Sequence, residues 1–77
     1  MKHFSMLAAK ESLRATINAI EAPAQEYIDW KAFEKELDEC MAKDPEPSHV
    51  KEVFAHAVTR ARQTYHAFVR AGRHFIQ

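Results

Sequence analysis

The hydrophobic positions of this chain fall into three stretches with the three- and four-residue spacing of amphipathic helices. In the longest stretch, near the C-terminus, the apolar positions lie within an arc of roughly 160° on a helical wheel. These positions are Val50, Val53, Phe54, Ala57, Val58, Ala61, Tyr65, Phe68, Val69, Phe75 and Ile76. The pattern predicts a long C-terminal amphipathic helix over about 49–75.

Two shorter stretches precede it. The first has its stripe at Met6, Ala9, Leu13, Ile17 and Ile20. It predicts a helix over about 5–21, with Ser5 as the N-cap. The stripe of the second consists of Tyr27, Trp30, Phe33, Leu37, Cys40 and Met41. It predicts a helix over about 23–42 in which Trp30 is buried against the third helix. Pro23 either separates these two helices or kinks a single one.

Residues 43–48 contain the clearest break in the pattern. Pro45 and Pro47 stiffen this segment, and Ser48 is suited to cap the helix that follows. Such a short connection favours antiparallel packing. We therefore predict an all-α, three-helix domain over 1–77, in which helices 2 and 3 form an antiparallel hairpin.

The C-terminal end of the third helix is the best sequence indication of an interface. Gly72 either ends the helix at Ala71 or lies within a helix that continues to Phe75. The longer form measures about 40 Å, against roughly 25–30 Å for the other helices. Its end then overhangs its partners, with the apolar side chains of Phe68, Val69, Phe75 and Ile76 poorly covered. Exposed apolar patches of this kind mark interfaces. A chain of 77 residues with a single cysteine also lacks disulfides to stabilise it. We expect a protein partner and a homo-oligomer.

Charge is balanced overall but unevenly distributed. The chain has 11 basic and 11 acidic residues; residues 21–46 hold nine acids against three lysines, and residues 47–77 hold five bases against Glu52. The helices either neutralise each other or attract partners of opposite charge. On the polar side of the third helix, Arg62, His66, Arg70 and Arg73 make nucleic-acid or nucleotide-phosphate binding the alternative hypothesis.

The sequence contains no recognisable catalytic or metal-binding motif. The histidines of the third helix are seven, ten and eight residues apart, whereas metal pairs on a helix need three or four. Cys40 lies in an apolar stripe and is expected to be a buried, inert thiol. We expect no cofactor, no metal and no enzymatic activity. The single cysteine and the lack of an apolar run long enough for a membrane span favour the cytoplasm and no membrane association.

Two short segments resemble known families. Residues 47–51 (PSHVK) with Phe54 resemble part of the bacterial polymerase III theta subunit, a small helical protein that binds the proofreading exonuclease. Residues 65–71 (YHAFVRA) resemble the last helix of phage proteins that sequester cyclic oligonucleotides. Each resemblance covers fewer than ten residues and assigns no family, but both imply binding rather than catalysis. We therefore expect an accessory subunit or an inhibitor of a larger protein, of the kind that phages and plasmids encode.

Overall fold

The protein is described by a computed structural model that covers residues 5–43 and 46–76, with side chains as far as Gly72. These residues form three α-helices and one 3-10 helix, without a β-strand, which confirms the predicted all-α class. The α-helices are α1 (Met6–Glu21), α2 (Trp30–Ala42) and α3 (Pro47–Ile76). The 3-10 helix, Ala22–Tyr27, joins α1 to α2. The molecule is a rod of 56 × 19 × 19 Å.

α1 begins and ends within one residue of the predicted bounds. The hydroxyl of Ser5 accepts a hydrogen bond from the amide of Ala8 at 3.2 Å. Such a bond satisfies one of the free amides of a first helical turn. Ala9, Leu13 and Ile17, one turn apart in the predicted stripe, are buried. Their spacing therefore fixes which side of α1 faces the core.

The second predicted helix, over about 23–42, requires a correction. Pro23 lies in the 3-10 helix, the chain is extended at Ile28, and α2 begins only at Trp30. The carboxylate of Asp29 caps α2 by accepting a hydrogen bond from the amide of Ala32 at 3.1 Å. The reason for the break lies in packing. In a continuous helix, Ile28 would lie on the side opposite Phe33 and Leu37. With the break, all three side chains are buried.

α3 is an unbroken helix of 30 residues, about 45 Å long. Gly72 lies within it and does not end it, so the longer of the two predicted forms is present. α1, with 16 residues, is about half as long. The other helices therefore cover α3 over only part of its length.

The core lies where α1, the 3-10 helix and α2 meet α3. Phe33 of α2 and Phe54 of α3 pack edge to face with ring centres 5.3 Å apart, a favourable geometry for aromatic rings. Smaller residues of α3, with Ala61 fully buried, let the other helices approach closely. The core contains no buried polar or charged side chain among the described residues.

The contacts of Trp30 agree only in part with the predicted burial against the third helix, because Trp30 packs at the edge of the core. Trp30 is half-buried, and the cationic groups of Lys10 and Arg14 lie over its ring at 5.9 and 4.8 Å from the centre. Its ring therefore faces α1.

Candidate interaction surface

One end of the bundle leaves apolar side chains uncovered, although they occupy core positions in the helical pattern. Ile20 continues the buried stripe of α1 but is 50% exposed, and Phe68 lies one turn beyond half-buried Tyr65 but is 63% exposed. Ile20 precedes Glu21, which contacts His66, two residues before Phe68. Both apolar side chains therefore lie at the same end. We call this surface, consisting of Ile20, Tyr27, Phe68 and Val69, the open end.

The aromatic ring of Tyr27 covers part of the open end. The Tyr27 ring lies 5.8 Å from the Tyr65 ring and 5.7 Å from the Phe68 ring. Tyr27 and Val69 are half-buried. The predicted interface residues Phe75 and Ile76 have side chains outside the described part of the chain. The open end thus contains two of the four predicted interface residues, Phe68 and Val69, together with Ile20 and Tyr27.

Glu21 joins the ends of α1 and α3 electrostatically. One carboxylate oxygen accepts a hydrogen bond from Arg62 Nε at 2.7 Å, and the other lies 2.8 Å from His66 Nε2. The hydrogen bond from Arg62 is the largest influence and lowers the pKa of Glu21 below its usual value. Desolvation opposes this shift, and the charges of His66 and Arg62 add to it. Two of the four predicted phosphate-binding side chains therefore already hold a carboxylate.

The third of these side chains, Arg70, is exposed one turn beyond His66. Together they line a shallow depression of about 410 Å³ on α3, formed by Thr59, Arg62, Gln63, His66 and Arg70. All five residues belong to one helix, so the depression is a groove between neighbouring side chains. The side chain of Arg73, the fourth predicted residue, lies outside the described part.

Two further ion pairs join the helices. Lys10 of α1 pairs with Glu34 of α2, and Arg60 of α3 lies 3.3 Å from Glu36 of α2. Together with Glu21, these contacts link every pair of α-helices. Part of the uneven charge seen in the sequence is therefore neutralised within the molecule, where exposed pairs contribute little stability each.

A second depression, of about 530 Å³, lies between α2 and α3 at the opposite end. Its lining includes half-buried Cys40 and the exposed residues His49 and His56. Within the described residues, no three metal-ligating side chains come close enough to share an ion.

Sequence reasoning missed Ile20, Glu21 and Tyr27. Ile20 was assigned to the stripe of α1, and nothing in its spacing distinguishes a covered from an uncovered position. No sequence pattern marks the contact of Glu21 with Arg62 and His66, because these partners are more than 40 residues away along the chain. Tyr27 was placed in an α-helix, whereas its position in the 3-10 helix brings it to Phe68.

Comparison with protein family models, curated proteins and solved structures found no similar protein. Over the described ranges, none of the helices combines the length and apolar character needed to cross a membrane.

Proposed function

We propose that this chain is a small, non-catalytic protein-binding module that acts as an accessory subunit or an inhibitor of a larger protein. The observation that carries the proposal is the exposure of Phe68, which occupies a core position of α3 but has no adequate cover. Full burial of a phenylalanine side chain is worth about 1.5–3 kcal/mol. Because Phe68 is 63% exposed, a partner that covers the open end gains the larger part of this energy, which the isolated chain leaves unused.

The arrangement of the helices supports this function. We propose that α2 and α3, which pack against each other through Phe33 and Phe54, form the antiparallel hairpin expected from their short connection. The hairpin and α1 hold the first part of α3, and the remainder projects toward a partner. The module is proposed to work in a reducing cytoplasm, and in isolation it associates weakly with itself through the open end.

The experiment compares two exposed apolar side chains. Phe68 and Leu7 are 63% and 64% exposed, but only Phe68 belongs to the open end. The tagged protein and its Phe68→Ser and Leu7→Ser variants are used to capture proteins from a lysate of the source organism. We expect at least one protein that the parent and Leu7→Ser retain and that Phe68→Ser loses, while circular dichroism shows equal helix content. Capture that is indifferent to Phe68→Ser contradicts the proposal.

Phosphate binding is the second candidate, because Arg62, His66 and Arg70 line one depression. A phosphate group must compete there with the Glu21 carboxylate, which makes this function the weaker one. We expect no complex with DNA or RNA in a mobility-shift assay at physiological salt. Submicromolar binding that Glu21→Gln strengthens and that weakens steeply with added salt reverses this order.

A further inference from the structure

We draw no further inference here: the strongest candidate, the apolar surface patch at the open end where α1 stops short of α3, is the surface already described, and nothing in the structure shows what covers it.

Discussion

At the scale of single residues, position in the helical pattern and actual burial are different properties. Ile17 and Ile20 belong to the same stripe of α1, yet Ile17 is fully buried and Ile20 is half exposed. The difference arises because the neighbouring helices cover the first position and not the second. Likewise, Arg62 belongs to the basic face of α3 in the helical pattern, but in the folded chain its guanidinium group is paired with Glu21.

The contact of Glu21 predicts a pH-dependent stability. Its pKa is lower in the folded chain than its usual value of 4.5, because Arg62 and His66 favour the ionised carboxylate. The contribution is therefore complete above the pKa of the unfolded chain and is lost as the pH falls through the lowered folded value. We expect Glu21→Gln to lower Tm at pH 6 and to have a diminishing effect at progressively more acidic pH. Glu11→Gln, at an exposed position of α1, is the control. An equal effect of Glu21→Gln at every pH would contradict this account.

Phe33 and Trp30 should differ in their contributions to stability. Phe33 is completely buried. Phe33→Ala should therefore lower the free energy of unfolding by about 3–5 kcal/mol, which is a large share of the stability of so small a domain. Trp30 is half-buried, so Trp30→Ala should cost less. Urea unfolding followed by circular dichroism measures both. A larger loss for Trp30→Ala would place the tryptophan in the core, as the sequence pattern predicted.

At the scale of helices, the main difference between the sequence prediction and the structure is the residue at which α2 begins. The apolar spacing from Tyr27 to Met41 is compatible with one helix, and Pro23 is acceptable in its first turn. A continuous helix, however, turns Ile28 away from the core. The 3-10 helix instead ends at Tyr27, and α2 begins at Trp30, after the N-cap residue Asp29. Burial of Ile28 compensates for the hydrogen bonds that the break removes.

Asp29→Ala tests this break by the sign of its effect. If Asp29 caps α2, the substitution removes a capping hydrogen bond and should cost about 0.5–2 kcal/mol. If a helix ran through residue 29, alanine would stabilise it, because alanine has the higher helix propensity. Denaturant unfolding gives the sign directly. Asp38→Ala, at an exposed position inside α2, is the matched control and should not destabilise the chain.

At the scale of the whole molecule, the unequal helix lengths create the candidate site. α3 is nearly twice as long as α1. Because α1 ends at Glu21, it does not cover the C-terminal part of α3. The result is an end of the bundle at which Ile20 and Phe68 are at least half exposed.

Salt should strengthen self-association through the open end. Self-association through the open end is opposed by repulsion between like charges, which salt screens. We expect the average mass from light scattering to rise between about 50 and 500 mM NaCl, since the Debye length falls well below 10 Å over this range. Phe68→Ser should abolish the rise. A tight dimer at low salt would contradict the expected repulsion.

The sequence by itself determined the all-α class, its apolar spacing located α1 and α3 closely, and Ser5 marked the start of α1, because these signals are local. Ser48, predicted to cap the third helix, instead lies within it, because α3 already begins at Pro47. Only the tertiary structure decided the break before α2, the orientation of Trp30 toward α1 and the pairing of Glu21 with Arg62 and His66. These features depend on which helices meet, and residues more than 40 positions apart leave no periodic signal of their contact. For the same reason, the sequence placed Phe68 and Val69 in an apolar overhang, but Ile20 and Tyr27 joined them only once the helices were packed.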